Sequence, residues 1–313
     1  MRERLLAHLR ALIAERHPLS SPVALQQAED YLTEQFRLLG LDVSTHSFEA
    51  LGGTYRNIIG RMSVPKGGSP HEGDLSPSPL IIAAHYDTVM GSSGADDNAS
   101  ALAVMLEIAR CLRGVTLSRE ARFIAFCLEE EDLLGSLAYV LSLRKAGHEI
   151  VGAIVLECVG YARSEEGSQR KPPGVPVAVP TVGDFLAIVG NTASAALAAA
   201  VESAARERVP DLKTVVLTVS GNGELLPDTR RSDHAAFWHY GYPAVMLTDT
   251  ANFRNPHYHQ PTDRLDTLNL EFMENVAQAV TASAIRLCTA SAIPSPKAHC
   301  NEKSNGHPGE GEG

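Results

Sequence analysis

The chain opens on two stretches, about residues 2 to 16 and 22 to 39, whose apolar positions recur at helical spacing and read as amphipathic helices. VSTHSFEA and YRNIIGRM come next, strand-like and separated by turn residues. The Gly/Ser/Pro-rich run KGGSPHEGDLSPSP reads as a surface loop. It gives way to LIIAAH, short and continuously apolar, as a strand buried on both faces should be. Helix and strand patterns then alternate: helix ALAVMLEIARCL, strand RFIAFCL, helix GSLAYVLSLRKAG, strand IVGAIVLE. After a long Pro-rich loop come strand FLAIVGN, helix TASAALAAAVESAARE, strands TVVLTVS and PAVMLTD, and a last helix near 270 to 290. Strands alternating with helices imply an α/β fold with a mixed, mostly parallel central sheet flanked by helices. One domain is expected over residues 1–291, with the polar, Gly/Pro-rich residues 292–313 as a disordered tail.

Composition sets limits on what such a fold could do. At 313 residues and 44% hydrophobic content, the chain can bury a sizeable core. Its 27 basic and 37 acidic residues give a formal charge of -10, with no basic cluster dense enough to track a phosphate backbone, so nucleic acid is not an expected partner. The start MRERLLAHLRALIAERHP lacks the uninterrupted apolar core of a signal peptide, and no segment approaches the roughly 20 apolar residues that span a bilayer. Five cysteines, with no CxxC pair, fit a reducing compartment better than a disulfide framework. The expectation is a soluble, cytoplasmic protein with no membrane partner. Oligomeric state leaves no readable mark.

Chemistry collects where strands end. In open α/β sheets functional groups lie beyond the carboxyl ends of the strands. LIIAA runs into His85, Tyr86 and Asp87; FIAFCL into Glu129, Glu130, Glu131 and Asp132; AIVL into Glu157. The loop after the first of these holds GADDNAS, and beyond VMLTD lies TANFRNPHYHQPTD with His257 and His259. GADDNAS alone is explicable as a helix cap, since Asp, Asn and Ser favour N-caps and acids favour the positive end of a helix dipole. Imidazoles and carboxylates gathered on one rim point instead to a borderline-soft dication, zinc first. In HYD, the Asp two residues beyond His85 can take the other ring N–H of a ligand histidine.

AAHYDTV, GADDNAS, EEEDLLGS, VLECVG, SDHAAFW and HYHQPTD, in this order from about residue 80 to 290, resemble the co-catalytic di-zinc aminopeptidase family. The resemblance implies a phosphorylase/hydrolase-like three-layer zinc exopeptidase fold. It implies two zinc ions, His85 and Glu157 holding one, Glu130 and His259 the other, and Asp97 bridging them, with a cis bond between Asp97 and Asn98. Glu129 matches the general base that activates a metal-bridging water, Asp87 the residue that orients His85, and Tyr258 a tyrosine that hydrogen-bonds the tetrahedral oxyanion. Asp96, Asn98 and Ser100 are expected to shape and cap the turn carrying Asp97, and Ser232, Asp233 and His234 to serve as scaffolding. His239 and His257 read as structural, Cys127 and Cys158 as small buried residues.

Three departures stand out: Ala101 where the family usually has Gly, Asp132 in place of a turn Gly, and Glu157 in place of Asp. The expected activity is zinc-dependent removal of N-terminal residues from peptides. Its rivals are a single-zinc glutaminyl-peptide cyclase, a carboxypeptidase or dipeptidase of the same clan, and a non-catalytic binding module on the same scaffold. Loops 161–184 and 253–256 are the expected seat of specificity.

Overall fold

A computed structural model describes residues 1–64 and 78–289. The loop read at KGGSPHEGDLSPSP falls largely outside the described residues, and the expected C-terminal tail falls wholly outside them. Helix α1 (Arg2–Leu12) buries Leu5, Leu9 and Leu12, one face at helical spacing. It stops four residues before the apolar pattern does. The cause is Arg16, whose guanidinium turns inward and donates to the carbonyls of Leu12, Ala14, Tyr86, Ser93 and Gly94, while its backbone N–H donates to Thr88 Oγ1. Burial lowers this arginine to about 10, and Asp87, Asp97, Asp263 and Glu130 push the other way. Helix α2 (Pro22–Leu38) starts on a proline, which suits a first turn whose N–H would be unpaired anyway.

Strands β1 (Asp42–Ala50) and β2 (Gly53–Met62) form an antiparallel hairpin. The rest of the chain lays down β3 (Leu80–His85), α3 (Ala101–Leu112), β4 (Ala121–Phe126), α4 (Leu134–Lys145), β5 (Gly152–Glu157), β6 (Phe185–Asn191), α5 (Ala195–Arg208), β7 (Lys213–Val219), α6 (His234–His239), β8 (Ala244–Thr248) and α7 (Leu270–Thr289). All eight strands join one sheet in the order β1-β2-β4-β3-β5-β8-β6-β7. The four at its centre, β4, β3, β5 and β8, are parallel. Hairpin strand β2 runs antiparallel to β4, and β6 with its parallel partner β7 runs antiparallel to β8. The carboxyl ends of the four central strands therefore open on one rim.

Alternate residues of the central strands feed two cores. Leu80, Ile82 and Ala84 of β3 pack with Ile154, Leu156 and Leu247 beneath α1, α2, α3, α5 and α7. Ile81, Ala83, Ile124 and Val155 face the other way, against Tyr139 and Val140 of α4 and Phe237 and Trp238 of α6. This gives the three layers expected. The second face is unevenly covered, however. Over β6, β7 and β8 the cover includes the Pro-rich segment near Pro172 to Val179, leaving a cavity of about 420 Å³. No helix among the described residues is long and apolar enough to cross a membrane.

Candidate active site

The sequence-predicted site residues reach the open rim from four strand exits: His85, Asp87 and Asp97 follow β3, Glu129 and Glu130 follow β4, Glu157 ends β5, and Tyr258 and His259 follow β8. His85 is the last residue of β3 and is fully buried. Its Nδ1 lies 3.2 Å from the Asp87 carbonyl oxygen, which can only accept, so Nδ1 carries a ring hydrogen while Nε2 faces Asp97 and Glu157. The Asp87 carboxylate is further from the ring, with Oδ1 3.5 Å from Nδ1. Its stronger bonds go elsewhere: Oδ1 accepts the Glu129 backbone N–H and Oδ2 that of Glu130, each at 3.1 Å. Asp87 thus ties the β3 exit to the β4 exit.

The β4 exit is a tight turn. Leu128, Asp132 and Leu133 all adopt positive φ, with Asp132 at 59°. That explains why a relative would use Gly there, and Asp is among the side chains that tolerate the left-handed region. Asn57 of β2 clamps the same turn, accepting from Cys127 N and donating to the Gly135 carbonyl.

GADDNAS forms a kinked turn before α3, with Asp97 and Asn98 outside helical φ/ψ and a cis peptide bond between them. Its neighbours bind to other loops rather than cap α3, where Ser100 makes no side-chain cap bond. Asp96 accepts from Gly160 N and Asn255 Nδ2, Asn98 bridges the Leu156 carbonyl and Cys158 N, and Ser100 accepts from Val159 N. The turn's own N–H groups are satisfied from far away. Asp263 accepts from Asp96 N at 2.9 and 3.1 Å and from Asp97 N at 3.2 Å. The motif HYHQPTD draws attention through its histidine, and nothing in its pattern reveals this role of its aspartate.

The result is a compact set around Asp97. Its Oδ1 lies 3.2 Å from His85 Nε2 and its Oδ2 3.1 Å from His259 Nε2. Glu157 Oε2 is 3.4 Å from His85 Nε2, and Glu130 Oε2 is 3.3 Å from His259 Nε2. Both imidazole Nε2 atoms and both Asp97 oxygens are buried without hydrogen-bond partners among the described residues. Two ligands about 2.0–2.1 Å from a tetrahedral ion sit about 3.3 Å apart, so these spacings suit zinc. The donors fall into His85–Asp97–Glu157 and Asp97–Glu130–His259; a third grouping, His85–Glu129–Glu130, also lies within metal-binding reach. Glu129 Oε2 stands further from His85 Nε2, at 3.8 Å.

Charge in the site follows from this crowding. Burial alone would raise the Asp97 carboxyl, but the imidazoles of His259 and His85 outweigh it and hold it below the ordinary range. Burial would lower His259, yet Asp97 and Glu130 push it up to about 10. Glu130 is pushed up to about 7 by burial and by Asp97. Glu129 is raised well above a usual carboxyl, first by burial and then by Glu157 and Glu130 against the opposing pull of His85. The site is built to hold positive charge.

The remaining motif residues support this set. Ser232 Oγ donates to Glu157 Oε2 at 2.8 Å, and the Cys158 thiol donates to Glu157 Oε1 at 3.3 Å, so this cysteine touches the site rather than only filling space. His234 Nε2 contacts the Thr229 carbonyl and its ring meets Trp238 edge-on, while burial lowers it to about 4 and keeps it neutral. His257 bonds Thr262 and His239 packs on Tyr240, neither among the clustered donors. Tyr258 stacks on His259 with ring centroids 3.8 Å apart. The cavity of about 420 Å³ opens beside Glu157 and Tyr258 and is lined mainly by apolar side chains, Val177, Phe185 and Leu217 among them.

The chain is similar in sequence and fold to known proteins. The chain is 32% identical over 294 residues to the uncharacterized protein YfbL of Escherichia coli (strain K12), covering 89% of this chain and 86% of that one. It is 30% identical over 232 residues to aminopeptidase YwaD of Bacillus subtilis (strain 168), covering 74% of this chain and 44% of YwaD, so it spans less than half of that relative. The solved structure of BSAP, a zinc aminopeptidase from Bacillus subtilis, superposes with a TM-score of 0.57 at 27% identity, covering 77% of this chain and 52% of that one. The family model for peptidase family M28 matches residues 57–284, which take in every motif residue from His85 to His259, and the chain belongs to that family.

Proposed function

We propose that the protein is a zinc-dependent aminopeptidase that hydrolyses the N-terminal peptide bond at a two-metal site. The observation that carries this reading is Asp97, whose two carboxylate oxygens face two different histidines at 3.2 and 3.1 Å. His85 and Glu157 would hold one zinc, Glu130 and His259 the other, with Asp97 shared between them. Bound zinc would supply Lewis-acid polarisation of the scissile carbonyl and lower the pKa of water. The similarity to YwaD and BSAP supports peptide hydrolysis and zinc.

Glu129 would accept the proton of the attacking water and pass it to the departing amine. Its burial keeps a proton well held once taken, and Asp87 fixes its backbone. Tyr258, beside His259, would donate its O–H to the oxyanion that develops on the carbonyl. The carboxylate-rich rim suits a free ammonium. The neighbouring apolar cavity suits a large apolar side chain on the released residue, in keeping with the Pro-rich segment and Phe253 that line it.

Release of free amino acids from unblocked peptides tests the reading. The expected result is activity abolished by a chelator and restored by zinc, with N-acetylated peptides resistant. Equal cleavage of acetylated peptides, release from the C-terminus, or cyclisation of N-terminal glutamine without hydrolysis would overturn it.

A further inference from the structure

Arg231 stands immediately before Ser232, the residue that holds Glu157, and at the mouth of the apolar cavity. Its Nη2 donates to the Tyr258 phenolic oxygen at 3.0 Å, and its Nη1 donates to Asn252 Oδ1 at 2.9 Å. Asp228 Oδ1 lies 3.5 Å from Nη1, a looser contact. The guanidinium carbon sits 5.5 Å from the Tyr258 ring centroid, and the same ring stacks on that of His259. Guanidinium, phenol and imidazole thus form one assembly leading to the Asp97 cluster. At 41% side-chain exposure, Arg231 is not part of either core.

A phenolic oxygen has one hydrogen to give and lone pairs to receive, whereas a guanidinium only donates. With Arg231 occupying a lone pair, the Tyr258 hydrogen cannot point at Arg231 and remains available to another acceptor. The forked hold on Asn252 and Tyr258 also limits rotation of the ring. A fixed positive charge behind the donor strengthens it most when negative charge develops in front, which happens in the transition state and not in the bound substrate.

We propose that Arg231 is a positioning residue for hydrolysis, which orients the Tyr258 O–H toward the scissile carbonyl and reinforces it as an oxyanion donor. The proposal rests on the assignment of Tyr258 as that donor. Loss of Arg231 should therefore appear in kcat. An arginine that merely gripped the substrate would appear in KM instead.

The test is a double-mutant cycle on leucine p-nitroanilide, with zinc per chain measured for each variant. Arg231→Met is expected to lower kcat about 10- to 100-fold, with KM within about threefold and zinc content unchanged, since removing a whole oxyanion donor costs about 10²–10³. Arg231→Lys keeps the charge but not the fork and should recover part of the loss. In a Tyr258→Phe background, Arg231→Met should change kcat by less than about threefold. Binding gives an independent readout: a leucine-derived boronic acid, which mimics the tetrahedral anion, should bind Arg231→Met about 10- to 100-fold more weakly, while free leucine changes less than about threefold. Normal kcat in Arg231→Met beside an impaired Tyr258→Phe overturns the proposal and leaves Tyr258's role intact. Equal losses in both backgrounds, or a change confined to KM, also overturn it. Wild-type kcat in Tyr258→Phe overturns the assignment of Tyr258 and the proposal with it.

Discussion

Replacing Asp87 by Asn removes no metal ligand and no group that meets substrate, yet it should damage both zinc binding and turnover. The two carboxylate oxygens each receive one backbone N–H, from Glu129 and from Glu130, at 3.1 Å. Asparagine has nearly the same shape but offers one oxygen and one NH₂ group. One of the two N–H groups, the buried one of Glu129 or the part-buried one of Glu130, must then face another donor. Leaving a buried donor unsatisfied costs about 1–3 kcal/mol, and the surviving bond loses its charge assistance. The cheapest relief is rotation of the turn that carries Glu129 and Glu130. A loss of about 1.4–2.7 kcal/mol of transition-state stabilisation corresponds to about 10- to 100-fold in rate, the range typical of outer partners of metal ligands. Zinc affinity by competition with a chelator, and kcat at saturating zinc, separate the consequences. Zinc should bind about 10- to 100-fold more weakly through Glu130, and kcat should stay depressed at full occupancy because Glu129 is displaced as well. Full recovery of kcat at saturating zinc would refute the shared-anchor argument and reduce Asp87 to a partner of His85.

Other substitutions probe the same division of labour. Glu129→Gln should retain zinc and bind substrate almost normally while kcat falls about 10²- to 10⁴-fold, whereas Glu130→Gln should lose zinc in a metal-content assay; the reverse pattern would mean the two roles are one residue out of register. Leu217→Trp, which projects into the cavity, should lower kcat/KM for peptides beginning with Leu or Phe by about 10- to 100-fold, the worth of burying one such side chain at about 1.5–3 kcal/mol, while sparing those beginning with Ala or Gly; equal effects on all of them would place the released side chain elsewhere.

Much of this site is legible in the sequence because the chemistry lies at the ends of strands whose apolar runs are unmistakable. LIIAAH and AIVLE are buried on both faces and RFIAFC is too apart from half-buried Arg122, and the candidate metal donors at each strand's exit are its close neighbours along the chain. The alternation of elements implies the fold class, but not the reversal of β6 and β7. No helix lies in the connection from β5 to β6, residues 158–184, to enforce a parallel return, so periodicity leaves the direction open. The end of α1 is obscured because Arg16 looks like a solvated helix residue and is instead buried among carbonyls. Helix α6, six residues long, is too short to show a period. Asp263 and Arg231 escape sequence reading for a different reason: each acts through partners 166 or 167 and 27 residues away, a distance over which a single sequence carries no signal.

Zinc-edge anomalous scattering from crystals grown with saturating zinc tests the two-metal claim most directly. Two peaks about 3.5–4 Å apart are expected, one beside His85 and Glu157, the other beside Glu130 and His259, with one Asp97 oxygen on each. A single peak, or two peaks of which only one touches Asp97, would contradict the shared-aspartate site on which the proposed hydrolysis depends.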